Sequence, residues 1–180
     1  MKRILLISIS VIVLILVSFL GFRHYTKSFS PEAMAEFHKN DLDITVKYSQ
    51  PVKKGRYIFG RQEDNALVPY GKVWRTGANE ATTLVFGSNV LFAGEKLPAG
   101  SYTLWSMPGQ AGWKLIVNSE IGQWGTDYND GKDYFRVDVP IRVIPTVQES
   151  FNIYFEETPN GANMILSWDQ IEAIVPIVHQ

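Results

Sequence analysis

One short segment of this chain concentrates side chains that could bind a small molecule. Residues 75–80 (RTGANE) contain a guanidinium, an amide and a carboxylate, and Trp74 precedes them. A guanidinium can hold a carboxylate or phosphate group through two parallel hydrogen bonds, and glycine permits close backbone approach. The alternative is a structural turn, in which Asn79 and Glu80 cap backbone groups and Arg75 pairs with Glu80.

Cations and aromatic rings upstream could extend this site. Residues 53–56 (KKGR) form a cationic stretch, and Arg56 would complete an anion pocket if the fold brought it to Arg75. A solvated surface is the alternative for these charges. Tyr70 and Trp74 could stack on a sugar, although large rings also pack in cores. The predicted ligand is a carbohydrate or an anionic small molecule, and the predicted ligand-binding residues are Arg56, Tyr70, Trp74, Arg75, Asn79 and Glu80.

Candidates for catalysis are few. The chain has no Cys, and its three His lie at positions 24, 38 and 179, outside the predicted core. This disfavours a Cys nucleophile, a Ser-His-Asp triad and the usual zinc sites. Glu80 and Asp127 could form the carboxylate pair of a glycoside hydrolase if they lay about 5–9 Å apart. A hydrolase of this kind is therefore kept as an alternative, and no catalytic residue is assigned.

The loop at residues 127–133 (DYNDGKD) is rich in oxygen ligands of the kind that calcium prefers. Gly131 falls at the fifth loop position rather than the sixth, and no Glu closes the loop at position twelve, so an EF-hand is not supported. A polar turn is the preferred interpretation. Neither a metal site nor a cofactor is predicted.

An uncharged run of nineteen residues, 4–22, lies near the start of the chain. As a helix it would extend about 28 Å, close to the ~30 Å hydrocarbon thickness of a bilayer. The run is longer than the core of a signal peptide and lacks an A-x-A-like cleavage site, so we expect a retained transmembrane helix in an anchor at residues 1–27. A cleaved signal peptide is the alternative.

The distribution of charged residues bears on the orientation in the membrane and on nucleic acid as a partner. Two Lys or Arg flank each side of the apolar run, and the size of the following domain favours its export to the periplasm on a single-pass anchor. All 18 Asp and Glu but only 13 of the 17 Lys and Arg follow residue 27, which leaves that part with a formal charge of −5. A nucleic-acid-binding domain would show a basic footprint, so nucleic acid is not an expected partner.

Residues 41–180 carry the signals of a β domain. Leu42, Ile44, Val46 and Tyr48 alternate with polar residues, the period-2 pattern of a half-buried strand. Further strands are predicted at 82–86, 90–92, 100–107, 113–118, 134–144, 147–156, 163–169 and 172–178. Turns rich in Pro, Gly, Asn and Asp separate them. Short strands without a long helical period predict an all-β fold, an antiparallel β-sandwich of jelly-roll type.

The segment between the anchor and this domain contains a helix-start signal. Ser30 is a preferred helix cap, and Pro31 suits the first helical position. A short helical spacer is therefore predicted at residues 28–40.

Two motifs in the chain resemble those of a known family. The patterns YSxPxxKGRxIFG at residues 48–60 and LVPYGxVWRTGANEATT at residues 67–83 are similar to the core of the bacterial family called domain of unknown function 2911. The resemblance implies an exported, mostly β domain without an assigned activity. Many relatives look like secreted proteins, whereas this chain resembles an anchored form.

Together these features predict a membrane-anchored domain outside the cytoplasm. Its expected function is ligand binding or interaction within the cell envelope, at a polar site around residues 75–80. A carboxylate-based hydrolase and a purely structural envelope protein are the alternatives.

Overall fold

The computed structural model describes residues 2–39 and 41–180, and in the N-terminal helix it describes the side chains of residues 3, 7–22, 25, 27 and 28. The elements are α1 (Lys2–Ser28), β1 (Glu32–Lys39), β2 (Leu42–Ser49), β3 (Phe59–Gly60), β4 (Val68–Pro69), β5 (Thr82–Phe86), β6 (Val90–Phe92), β7 (Glu95–Leu97), β8 (Gly100–Pro108), β9 (Gly112–Asn118), β10 (Asp133–Thr158) and β11 (Gly161–His179). The other helical segments of the described chain are two 3₁₀ turns, η1 (Gln62–Asp64) and η2 (Asp130–Lys132).

Nine of the strands form one antiparallel sheet in the order β1-β2-β5-β8-β9-β10-β11-β6-β7. The remaining two, β3 and β4, pair in parallel as a small separate unit. Neighbours in the sheet are mostly neighbours in sequence, because short turns join antiparallel strands directly. The mostly β, antiparallel part of the prediction is confirmed.

The sandwich of two separate sheets is not confirmed, because β10 and β11 are much longer than predicted. Residues 134–144 and 147–156 were predicted as two strands but belong to one, β10, of 26 residues. Its first part pairs with β9, and its second part pairs with β11, with register shifts between Val143 and Gln148 and between Gln148 and Asn152. Such irregularities bend a strand, so one continuous sheet can turn a corner and face itself.

The sheet curls until its β1 edge reaches the second half of β10. Lys39 forms an ion pair with Glu157 at 2.7 Å. The Tyr48 hydroxyl donates to the Asn152 Oδ1 at 2.9 Å and accepts from the Ile153 backbone N–H at 3.0 Å. These contacts close a core between the two halves of the sheet.

Apolar side chains from both halves fill this core. Fully buried members include Ile44 on β2, Leu84 on β5, Leu115 on β9 and Leu166 on β11. The neighbours of Leu84 on β5 are more exposed, as the period-2 pattern predicts, whereas Leu115 and Leu166 also have buried neighbours along their strands. Apolar burial at about 25 cal/mol per Å² therefore holds the fold together in the absence of disulfides.

The predicted helical spacer at residues 28–40 is wrong, because residues 32–39 form strand β1. Residue 40 lies outside the described residues. Ala35 and Phe37 are buried while Met34, Glu36 and His38 face outward, which is strand periodicity. Pairing with the open edge of β2 outweighs the local helix-start signal.

Helix α1 precedes the sheet and contains the apolar run of residues 4–22. Within the part of the chain that the structure describes, no helix combines the length and the apolar character needed to cross a membrane. The predicted N-terminal helix is therefore present, whereas its transmembrane character is not supported.

Candidate ligand-binding site

A cleft of 470 Å³ opens beside the RTGANE segment, and we call it the basic cleft. Its lining comes from the end of α1, the loop that follows β2, strand β4, the RTGANE segment and β11. The lining residues are Phe29, Ser30, Pro51, Val52, Lys54, Arg56, Leu67, Val68, Trp74, Arg75, Gly77, Ala78, Asn79 and Trp168. Four of the six residues predicted to bind ligand are among them.

Arg75 is the most unusual charge of the basic cleft. Its side chain is half-buried, and its stem passes so close to Gly125 that a Cβ there would lie 2.3 Å from the Arg75 Cδ. Burial lowers the pKa of the Arg75 guanidinium, because a charged group is less stable away from water. Among the described residues its one hydrogen-bond acceptor is the Asn79 carbonyl oxygen, at 3.4 Å, and no described carboxylate forms an ion pair with it.

The loop of residues 51–56 brings two more cations to the cleft. It is fixed to the sheet by the Lys53–Asp169 ion pair of 2.5 Å and by the Lys54 backbone N–H, which donates to the Glu149 carboxylate at 2.8 Å. The Arg56 guanidinium donates to backbone carbonyl oxygens of its own loop. The fold therefore brings Arg56 and Arg75 to one cleft, as the anion-pocket hypothesis requires.

Lys54 extends over the ring of Phe29, with its Nζ 4.8 Å from the ring centroid. This cation–π contact joins the loop to the chain that leaves α1. Neither Lys54 nor Arg56 forms an ion pair with a carboxylate that the structure describes. Three cations thus line one cleft without an internal counter-ion in the described chain.

Aromatic rings form the floor of the basic cleft. Trp74 and Trp168 stack with centroids 5.8 Å apart and 20° between their planes. The indole N–H of Trp74 donates to the Gly77 carbonyl oxygen at 3.0 Å, and the ring also packs edge-on against Phe59 and Phe151. Trp74, considered for stacking on a sugar or for core packing, is half-buried and belongs to both core and cleft.

The backbone of the RTGANE segment is held in uncommon conformations. Thr76 and Asn79 have φ values of 51° and 58°, and Gly77 has a φ of 152°. A β-branched residue at positive φ is an outlier that persists only when its surroundings enforce it. Here Thr76 is fixed by hydrogen bonds with Ser106 at 3.0 Å and Thr82 at 2.7 Å. Strain of this kind is frequent at ligand sites, although it also occurs in tight structural turns.

The other predicted site residues make mainly structural contacts. The Asn79 side chain is buried and donates to the Ser30 carbonyl oxygen at 3.3 Å. The backbone carbonyl oxygen of Asn79 accepts from the Gly125 N–H at 2.9 Å. Glu80 forms an ion pair with Lys27 at 3.1 Å and lines a second cleft rather than the basic one. Tyr70 does not line the basic cleft but packs partly buried against the core.

The basic cleft offers no support for the carboxylate-based hydrolase. No Asp, Glu or His is among the described residues that line it. Asp127 lies on an exposed loop and accepts a hydrogen bond from Thr126 at 3.1 Å, whereas Glu80 pairs with Lys27. The described lining of the basic cleft therefore supplies no carboxylate pair of the kind that glycoside hydrolysis uses.

The acidic loop at residues 127–133 forms a polar turn. Asn129 caps η2, and the Asp133 carboxylate accepts hydrogen bonds from Asn118, Tyr128 and Arg136 at 2.7–2.9 Å. Among the described residues no group of three or more acidic or His side chains is placed to hold a metal ion.

Sequence reasoning missed two walls of the cleft. Trp168 lies on β11, near the end of the chain, and the residues next to it in the sequence do not indicate a binding site. Phe29 follows α1 directly, and it was assigned to a spacer rather than to the site. Lys54 was noted as part of the cationic stretch, but its contact with Phe29 depends on tertiary packing.

The fold and the site define a curved antiparallel β domain with one basic, aromatic-floored cleft, preceded by an N-terminal helix. The chain belongs to the DUF2911 family, described as proteins of unknown function, whose family model matches residues 30–177. This confirms the family resemblance carried by the two motifs. Neither the curated proteins nor the solved structures contain a significant match to the chain.

Proposed function

We propose that this protein is a ligand-binding module whose basic cleft holds a small molecule with an anionic group and an apolar, flat body. The observation that carries the proposal is Arg75, a half-buried guanidinium without a described carboxylate partner at the wall of an open cleft. A buried charge is costly unless it is paired, so such a group favours binding of an external anion.

The remaining lining supports the same ligand chemistry. Lys54 and Arg56 add positive charge at the rim, while the half-buried Trp74 ring, backed by the buried Trp168 ring, provides aromatic surface. Guanidinium groups bind carboxylates and phosphates, and stacked indoles favour a flat apolar surface. Of the two ligands expected from the sequence, the charges favour the anionic molecule over a neutral carbohydrate.

We further propose that α1 attaches the chain to a membrane, with the β domain outside the cytoplasm. The described side chains of α1 from Ile7 to Phe22 are all exposed, including Leu14 at 69% and Val17 at 62%. A continuous exposed apolar surface of this size is unfavourable in water and favourable in a bilayer.

A binding experiment on the full chain tests the cleft. The protein is placed in nanodiscs of neutral phosphatidylcholine and titrated calorimetrically with 1-naphthyl phosphate, an anion on a flat apolar body. We expect saturable binding that Arg75→Ala weakens about tenfold or more, since a hydrogen bond to a charged group contributes about 1.5–3 kcal/mol and 1.4 kcal/mol is tenfold in affinity.

Two controls separate site binding from general charge attraction. Lys96→Ala removes one positive charge from exposed strand β7, away from the cleft lining, and should leave the dissociation constant within about twofold. The neutral analogue 1-naphthol should bind much more weakly than the phosphate. Equal binding by wild-type and folded Arg75→Ala protein would exclude the basic cleft as the site.

A further inference from the structure

The end of α1 is built into the wall of the basic cleft. Phe29 and Ser30, the first two residues after the helix, line the cleft. Three contacts fix them and the last helical turn: Lys27 with Glu80 at 3.1 Å, the Ser30 carbonyl oxygen with Asn79 at 3.3 Å, and the Phe29 ring with Lys54. The basic cleft therefore lies next to the C-terminal end of α1, close to the surroundings of the apolar residues of this helix.

The distance along the chain sets the depth of the cleft relative to a bilayer. Phe22 ends the uncharged run, and Phe29 follows seven residues later. Seven helical residues extend about 10 Å. The head-group region on each side of the hydrocarbon core is roughly 5–8 Å thick. If α1 stands upright with its apolar run in hydrocarbon, Phe29 lies about 2–5 Å outside the head-group layer, and the basic cleft borders that layer from the water side.

The chemistry of the cleft suits a ligand from that layer. Lys54, Arg56 and Arg75 provide cations without described carboxylate partners, as the recognition of phosphate groups requires. Phe29, Val52 and Leu67 add apolar surface on the same lining, suited to the first methylenes below a head group. A water-soluble anion would need the cations but not an opening beside the membrane.

We infer that the basic cleft binds the anionic phosphate head group of a lipid in the membrane that holds α1. This inference rests on the proposed function, because it names the source of the anion that the cleft takes. Arg75 contacts the phosphate, and Lys54 and Arg56 hold it at the rim. Phe29 joins the lipid site to the helix.

Native mass spectrometry of the full chain in a mild neutral detergent tests the inference. The protein is titrated separately with phosphatidylglycerol, phosphatidylcholine and inorganic phosphate. We expect one phosphatidylglycerol molecule to bind at least tenfold more tightly than phosphatidylcholine or inorganic phosphate. Arg75→Ala should abolish that preference, whereas Lys96→Ala, which removes an equal charge elsewhere, should retain it.

A second variant provides a test that does not depend on the folding of Arg75→Ala. Lys54 is exposed, so Lys54→Ala should fold normally and reduce the preference by a few-fold. Equal binding of the two lipids would overturn the lipid assignment, and so would inorganic phosphate that binds as tightly as phosphatidylglycerol. If 1-naphthyl phosphate still binds in an Arg75-dependent manner, the cleft takes a soluble anion and the proposed function stands. If it does not bind, the proposed function fails as well.

Discussion

Two buried charged groups in this domain differ in how completely their surroundings satisfy them. The Glu172 side chain, 6% exposed, accepts from Arg142 at 2.5 Å, Tyr154 at 2.8 Å and Ser167 at 3.1 Å. Arg75 has one long hydrogen bond to a backbone carbonyl and no described carboxylate. A satisfied network is typical of a structural role, whereas an unsatisfied cation facing a cleft is typical of binding.

Arg75→Ala should therefore change stability little. The substitution removes one weak hydrogen bond and some packing on Gly125, but also relieves a desolvated charge. We expect a change in unfolding free energy of about 1 kcal/mol or less, a melting shift of up to roughly 4 °C. Thermal unfolding followed by circular dichroism measures it. A drop of 10 °C or more would favour the structural-turn alternative.

Glu172 should make stability depend on acid pH. Although burial opposes ionisation, the hydrogen bonds from Arg142, Tyr154 and Ser167 lower the pKa of Glu172 overall. A carboxyl with a lowered folded-state pKa stabilises the fold above its unfolded value of about 4.3, and that stability is lost as the pH falls through the folded value. In denaturant unfolding, the free energy of unfolding should thus fall less below about pH 4.3 for Glu172→Gln than for wild type. Parallel pH profiles would contradict this assignment.

At the scale of elements, the RTGANE segment is a strained connection between the small β3–β4 unit and β5. A backbone bridge holds Trp74 to Ser106 on β8, with N···O distances of 2.7 and 2.9 Å, and Gly125 binds the far end of the segment. Gly77 lies between these two anchors, and a Cβ added there would lie 3.0 Å from the Ser49 carbonyl oxygen. The segment therefore depends on glycine at this position for both its φ and its space.

Gly77→Ala should accordingly lower the free energy of unfolding more than the replacement of a glycine in open space. Gly94, in the β6–β7 turn, has a φ of 90° and no neighbour within 4 Å of an added Cβ. Gly94→Ala should cost about 1–2 kcal/mol of backbone strain. Gly77→Ala should cost at least about 1 kcal/mol more, because contact with Ser49 adds to the strain. Urea unfolding of the two variants compares them, and equal costs would refute close approach at Gly77.

At the scale of the whole molecule, one curved sheet and one helix meet at the basic cleft. The sheet closes its own core through Tyr48 and the bend of β10, so the domain does not need α1 for its interior. α1 contacts the domain through the Lys27–Glu80 ion pair and leads into the cleft wall, and its described apolar side chains from Ile7 to Phe22 are exposed. The exposed apolar surface of α1 is therefore separate from the core of the sheet.

Membrane attachment should be resistant to alkaline washing. We expect the full-length protein to stay in the membrane fraction after carbonate extraction, because hydrophobic burial of α1 is independent of charge. Leu14→Arg/Val17→Arg, which charges two exposed α1 positions, should move a large share of protein to the soluble fraction. A wild-type protein released by carbonate, or a mature N-terminus shortly after Gly21 in mass spectra, would contradict retention of the helix.

Local pattern was enough to predict most individual strands. The predicted segments 82–86 and 90–92 coincide with β5 and β6, and the alternation from Leu42 to Tyr48 lies within β2. Trp105 and Trp113, which lie within two of the predicted strands, are both buried. These elements follow from the side-chain period of an extended chain, which is a property of neighbouring residues alone.

Strand pairing decided what the local pattern left open. Residues 32–39 became β1 because the edge of β2 was there to pair with, and β10 and β11 became continuous because bulges let them bend rather than stop. The helix-start signal and the two turn-like gaps were misinterpreted because strand pairing outweighed these local signals.

The motifs and the strand periodicity were sufficient to predict the family, the β class and four residues of the cleft lining, because the motif residues from Arg56 to Asn79 lie close together along the chain. Only the tertiary structure decided that Arg56 and Arg75 share one cleft, that Trp168 and Phe29 complete it, and that Glu80 turns away to Lys27. The physical reason is that side chains converge through the curl of the sheet, which depends on contacts between residues up to about a hundred positions apart.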